Sequence, residues 1–72
     1  MKKEELLLNF GKRIRQLREA EKLTQEELAE QTGFHRTYIG MVERGERNIS
    51  LSNIGVFANY FKINLSDLFK EI

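Results

Sequence analysis

Two short amphipathic stretches separated by one glycine constrain this chain more than any other feature. The first opens at Thr24, with Glu27 three residues later. A threonine before a helix and a glutamate at its third position form a capping box, which satisfies two backbone amides that the helix start would otherwise leave unpaired. Glu26 and Glu27 also suit the positive end of the helix dipole. Leu28 and Ala29 are expected to point inward. Gly33 ends this helix, because glycine takes the left-handed cap conformation without steric cost. The second stretch follows at once, from about His35 to Arg44, and stops at Gly45. Its inward face is Ile39 and Val42, with Tyr38 beside them. At about 100° per residue the opposite face carries Thr37, Gly40, Met41 and Arg44, with Arg36 at the N-terminal edge.

Two helices of about ten residues joined by a tight turn form the pattern of a helix-turn-helix. The turn falls at Gly33 and Phe34, and Ala29, Ile39 and Val42 supply the apolar mutual face. Such a pair projects the outer face of its second helix away from the protein. An α-helix fits the DNA major groove, so that face can reach base edges.

The remaining segments are also helical in pattern. Leu7, Phe10, Ile14 and Leu17 mark one face of a helix from about Lys3 to Glu21, and the flanking Leu6 and Leu8 suggest that its start buries more than one face. Ser50 is the expected N-cap of a fourth helix, Leu51 to Phe61, with Leu51, Ile54, Phe57, Ala58 and Phe61 as its core stripe. Ser66 is the expected N-cap of a short last helix, Asp67 to Glu71, burying Leu68 and Phe69. Strand-like alternation, linkers and repeats do not occur. The expectation is an all-α, compact five-helix bundle forming a single domain over residues 1–72.

Composition narrows the chemistry. The chain has no cysteine and one histidine, which argues against a disulfide framework, a thiolate nucleophile and a zinc site of paired histidines. It carries no glycine-rich phosphate loop and no G-x-S-x-G elbow. Glu26, Glu27 and Glu30 read as solvated helix charges rather than paired catalytic carboxylates. The expectation is therefore a protein that is not an enzyme and uses no cofactor or metal. The apolar run Leu6 to Leu8 is too short for a signal-peptide core or a membrane span, so a cytoplasmic protein without a membrane partner is expected. The small core of so short a chain favours dimerisation as added stability.

Net charge is only +1, but the charge is blocked along the chain. Lys12, Arg13, Arg15, Arg18 and Lys22 stand against Glu19 and Glu21, a local +3, whereas residues 23–32 hold Glu26, Glu27 and Glu30, a local −3. Arg36, Arg44 and Arg47 then face only Glu43 and Glu46. A local basic face can bind phosphate whatever the total charge.

The run Leu23-Thr24-Gln25-Glu26-Glu27-Leu28-Ala29, then Gly33, Tyr38-Ile39 and Glu43-Arg44-Gly45, resembles the Cro and cI-type helix-turn-helix domain of phage repressors. The resemblance runs from about Phe10 to Phe69 and implies a lambda-repressor-like DNA-binding fold. More narrowly, His35-Arg36-Thr37-Tyr38-Ile39 with Glu43-Arg44-Gly45-Glu46-Arg47-Asn48 is similar to the controller proteins of restriction–modification systems. Those are small homodimeric regulators that activate, and at higher level repress, the genes beside them. Gly40 and Met41 depart from the usual pattern, in which the first is often serine.

The resemblance implies roles residue by residue. Arg36 and Thr37 match base-contacting positions, and the chemistry agrees: arginine can bond guanine O6 and N7 together, and a threonine methyl can touch thymine; Met41, on the same outer face, is the third base-contacting candidate. Gln25, Arg44, Arg47 and Asn48 match phosphate-contacting positions, with Gln25 at a helix N-terminus that itself favours anions; Tyr38 suits a phosphate contact through its hydroxyl, and His35, at the N-terminal edge of the same helix, either caps it or touches a phosphate. Arg18 and Glu43 match an internal ion pair.

The expected partners are double-stranded DNA and a second copy of the chain, with RNA polymerase a further candidate. A homodimer would read an inverted-repeat operator at its own promoter and beside the endonuclease gene. Its seam is expected on Val56 and Tyr60, apolar residues of the fourth helix facing out of the monomer, with Ile49 and Ile63 bracketing that helix and Phe69 of the short last helix as the alternative seam. The alternative readings are a phage-type repressor and an antitoxin-like protein-interaction module.

Overall fold

Phe10 and Ile14 turn one face of the first helix fully into the core, and the other helices assemble against that face. The structure, a computed structural model, describes residues 1–70 and 72. Among these residues there are five helices and no strand: α1 (Lys3–Ala20), α2 (Gln25–Thr32), α3 (Arg36–Glu43), α4 (Leu51–Phe61) and α5 (Leu65–Leu68). Helix α3 packs against both α1 and α2, and α4 closes on α2 and α5. Ile14, Leu28, Ile39, Val42, Phe57 and Leu68 have no exposed surface, and each such side chain stabilises the fold by about 1.5–3 kcal/mol relative to leaving it in water. Phe57 ties the layers together, edge-on to Phe10 at 6.3 Å and tilted against Phe34 at 5.2 Å.

The helix boundaries follow the capping chemistry. Thr24 Oγ1 accepts from the Glu27 amide at 3.0 Å while Glu27 Oε1 accepts from the Thr24 amide at 2.8 Å, a complete capping box. Gly33 adopts φ 81°, the left-handed conformation that ends α2. His35 caps α3: its Nδ1 accepts from the Thr37 amide at 3.0 Å. Ser50 caps α4 by accepting from the Asn53 amide at 3.1 Å. Gly11 is needed where α1 crosses the end of α3, since a Cβ there would lie 2.6 Å from the Glu43 carbonyl oxygen.

Several expectations are corrected. The last helix begins at Leu65, not Asp67, and its cap is Asn64, whose side chain accepts from the Asp67 amide at 2.8 Å. Ser66 instead donates its hydroxyl to Asn64 Oδ1. Glu71, the expected end of that helix, lies outside the described residues. Phe69 is not buried: it is 36% exposed, with its ring tilted over Phe10 at 5.5 Å. Leu51 is 75% exposed and leaves the α4 core stripe to Ile54, Phe57, Ala58 and Phe61. Leu6 and Leu8 remain partly exposed, so the start of α1 does not bury a second face. No helix among the described residues is long and apolar enough to cross a membrane.

Candidate nucleic-acid interface

The buried end of α3 holds the motif together. Glu43 is the one buried charged residue among those described, and its carboxylate accepts three hydrogen bonds. Arg18 donates through Nε at 2.7 Å and Nη2 at 3.0 Å, and Gln25 donates through Nε2 at 3.0 Å. The third nitrogen of Arg18, Nη1, donates to the Leu23 carbonyl at 2.7 Å. The hydrogen bonds that Arg18 donates to Glu43 push its pKa up, outweighing the burial that lowers it. One carboxylate thereby links α1, α2 and α3. The three hydrogen bonds offset the desolvation cost of the buried charge, which a lone carboxylate would carry uncompensated.

From this anchor the N-terminal turns of α2 and α3 open onto one shallow groove. Gln25, Glu26, Arg36, Thr37, Gly40 and Arg44 line it. Arg36 and Thr37 are exposed on the first turn of α3. Arg36 Nη1 lies 3.5 Å from Glu26 Oε2 across the groove. Arg44 is exposed and forked onto Glu46, with Nε and Nη2 at 3.0 and 3.2 Å from its two oxygens. That hydrogen bonding pushes the Arg44 pKa up.

The groove thus gathers Gln25, Arg36, Thr37 and Arg44 of the expected contact residues. Gly40 was expected on an open outer face, but it is buried, because the Arg44 guanidinium and the Gln25 side chain cover it. Met41 is half-buried on α3 outside the groove lining. Tyr38 and Arg47 form a second cluster. The Tyr38 ring is tilted against Phe34 at 4.8 Å, Arg47 lies over its face at 5.4 Å, and its hydroxyl accepts from Asn53 Nδ2 at 3.0 Å. Asn48 is exposed and borders a different groove, an apolar one formed with Leu6, Leu7, Ile49, Ile54 and Phe69.

Sequence reasoning missed Glu26, Glu46 and Asn53 as partners of Arg36, Arg44 and Tyr38. Glu46 could have been paired with Arg44 two residues away, but nothing in the spacing signals the two contacts between different helices. Val56 and Tyr60 also sit differently from their description as outward-facing. Ile49, Tyr60 and Ile63 are half-buried against the protein's own core, and Val56 is half-buried. Among the described residues no three His, Cys, Asp or Glu side chains come together as a metal site.

Comparison with known proteins agrees with this geometry. Residues 14–68 match the helix-turn-helix family. Control protein C.SmaI of Serratia marcescens is 44% identical over 59 residues, which is 82% of this chain and 70% of that protein. The crystal structure of the restriction-modification controller protein C.AhdI from Aeromonas hydrophila is 49% identical with a TM-score of 0.82, over 88% of this chain and 96% of that one. The structure of C.Esp1396I bound to a 25 base pair operator site is 28% identical with a TM-score of 0.78, over 90% of this chain and 86% of that one. The chain belongs to the helix-turn-helix family, among the controller proteins of restriction–modification systems.

Proposed function

We propose that this protein is a homodimeric transcriptional regulator that reads an inverted-repeat operator in duplex DNA and controls a restriction–modification system, acting at its own promoter and beside the endonuclease gene. The observation that carries the reading is the exposure of Arg36 and Thr37 on the first turn of α3, over the groove shared with the start of α2. An arginine and a threonine there have the right chemistry for guanine and thymine edges. Met41, further along the same helix, is the third base-contacting candidate.

Phosphate contacts would surround them. Gln25 gives one amide N–H to Glu43 and keeps the other for a phosphate, beside the unpaired backbone amides of the α2 N-terminus. His35 uses Nδ1 in its cap and has Nε2 left for a phosphate. Tyr38 accepts from Asn53, so its own hydroxyl hydrogen is available to a phosphate. Arg44, Arg47 and Asn48 would complete the backbone contacts.

A single α3 covers too few base pairs for useful specificity, and two must lie about 34 Å apart to read one face of the duplex. The molecule measures 31 Å along its longest dimension, which suits two copies side by side on that spacing. Of the expected seam residues, Ile49 and Phe69 line one apolar groove with Ile54 and Leu6, and the dimer is proposed to close there. Phe69→Glu should then give a monomer in sedimentation, while Val56→Glu and Tyr60→Glu should remain dimers; the reverse outcome would move the seam to α4. The operator lies in the cytoplasm, and RNA polymerase is the proposed neighbour of a dimer bound beside a promoter. Action by binding alone needs neither catalysis nor cofactor.

A gel shift on the DNA upstream of its own gene tests the function. Retardation of that duplex but not of a scrambled duplex of equal length is the expected result. Equal retardation of both would contradict sequence-specific regulation.

A further inference from the structure

We infer that Glu26 is a positioning residue for Arg36, holding its guanidinium so that one defined edge faces the base and so sharpening base preference. This inference rests on the duplex-reading function proposed above.

The two side chains reach toward each other from the starts of α2 and α3. Arg36 Nη1 lies 3.5 Å from Glu26 Oε2, and both side chains are largely exposed, at 68% and 64%. An exposed pair of this kind adds almost nothing to folding stability. Its consequence lies in orientation. A guanidinium presents five N–H donors in a rigid plane. Glu26 lies beside Nη1 as an ion pair, and the Nε and Nη2 edge keeps two parallel donors of the kind that match O6 and N7 of guanine.

The neighbouring arginines make the contrast. Arg18 spends its Nε and Nη2 edge on Glu43. Arg44 spends the same edge on Glu46. Of these three acid-paired arginines at the groove, Arg36 alone keeps its forked edge free. Without a partner its four side-chain torsions would have to be ordered on binding, and prior ordering removes part of that cost.

Glu26 also acts through its charge. A carboxylate in a DNA-facing groove repels phosphates regardless of sequence, which weakens binding to every duplex alike. Removing it therefore has two effects of opposite sign: binding to random DNA tightens, and preference for the guanine-bearing site falls. A merely structural residue would weaken both. A merely repulsive charge would tighten both equally. The capping box that starts α2 is made by Thr24 and Glu27, so Glu26→Ala removes only a helix-dipole contribution from folding.

The test uses the full chain as wild type, Glu26→Ala, Glu26→Gln, Arg36→Ala and the double variant Glu26→Ala/Arg36→Ala. Each is titrated against the duplex that the wild type selects from a randomised library, against versions with the contacted G·C pair replaced, and against random duplex. Thermal melting confirms that Glu26→Ala is folded. The expected result is a few-fold tighter binding of Glu26→Ala to random duplex, with discrimination at the G·C pair reduced roughly three- to ten-fold. That loss of discrimination should vanish in the Arg36→Ala background. Unchanged discrimination in Glu26→Ala, or a loss that persists without Arg36, overturns the inference while leaving the duplex-reading function intact. A wild type that selects no sequence overturns both.

Discussion

Gln25 and Glu43, the first residue of α2 and the last of α3, are joined by a side-chain hydrogen bond of 3.0 Å. A carboxylate only accepts, so the Gln25 nitrogen must face it. The Gln25 oxygen is thereby turned toward Gly40, 3.4 Å from where a Cβ on that glycine would lie. The residue proposed to hold a phosphate is therefore oriented by the carboxylate that also locks Arg18. The interface and the core share one polar node.

Loss of Arg18 should unfold the protein more than it disturbs DNA contacts. Its side chain is 11% exposed and that of Glu43 only 3%. Arg18→Ala leaves the carboxylate without its main partner, which costs about 3–5 kcal/mol for a buried pair. Replacing both residues, as Arg18→Met with Glu43→Leu, should recover much of that loss in a denaturant titration. A normal unfolding midpoint in Arg18→Ala with weakened DNA binding would instead assign Arg18 to the phosphate surface.

The proposed backbone contacts have a salt signature. Arg44→Ala and Arg47→Ala should each lower the slope of log K against log salt by roughly one unit, the value expected per phosphate neutralised. They should do so equally on operator and random duplex. Arg47, stacked over Tyr38, should also lose its effect in a Tyr38→Ala background. An unchanged slope in both arginine variants would remove them from the DNA backbone.

How far the fold could be read from the sequence depended on whether a residue acts through its immediate neighbours. Thr24, Glu27, Gly33 and Ser50 do, and the starts of α2 and α4 and the end of α2 fell where their chemistry required. The last helix did not. It is a single turn, too short for periodicity, and Asn64 and Ser66 are both competent caps two residues apart. Leu51 continues the sequence stripe of α4 but stands in solvent. At the interface, spacing within α3 identified its exposed first turn. The contacts from Arg36 to Glu26 and from Tyr38 to Asn53 cross between helices, and only the three-dimensional packing creates them.

Two lysines occupy left-handed backbone, Lys22 at φ 59° and Lys62 at φ 58°. Lys62 is the C-cap of α4, a position where glycine carries no Cβ penalty. Lys62→Gly should raise stability by about 0.5–1 kcal/mol, or roughly 4–8 °C in Tm per kcal/mol for a domain of this size. Lys62→Ala keeps the strain and should give no such gain. A lower Tm for the glycine variant would mean that the lysine side chain contributes more than its backbone costs.

Alkaline stability should respond to Tyr60. Partial burial, and then the Glu21 carboxylate, push its phenol above the ordinary value of 10.0. The folded state thus holds this proton more tightly than the unfolded state. The resulting stability is fully present below pH 10.0 and is lost as pH rises through the folded value. Tyr60→Phe should flatten that alkaline decline in a series of melts. An identical decline in both proteins would assign it to other groups.

The central claim is that α3 reads base edges in the major groove, once in each half of a two-fold complex. Dimethyl sulfate footprinting of the bound operator tests it most directly, because this reagent methylates guanine N7 in the major groove and adenine N3 in the minor groove. Protection of guanine N7 is predicted at two positions about 10–10.5 base pairs apart, with both protections lost in Arg36→Ala while the complex still forms at low salt. Unprotected guanines in a saturated complex, or protection confined to adenine N3, would contradict major-groove reading by α3.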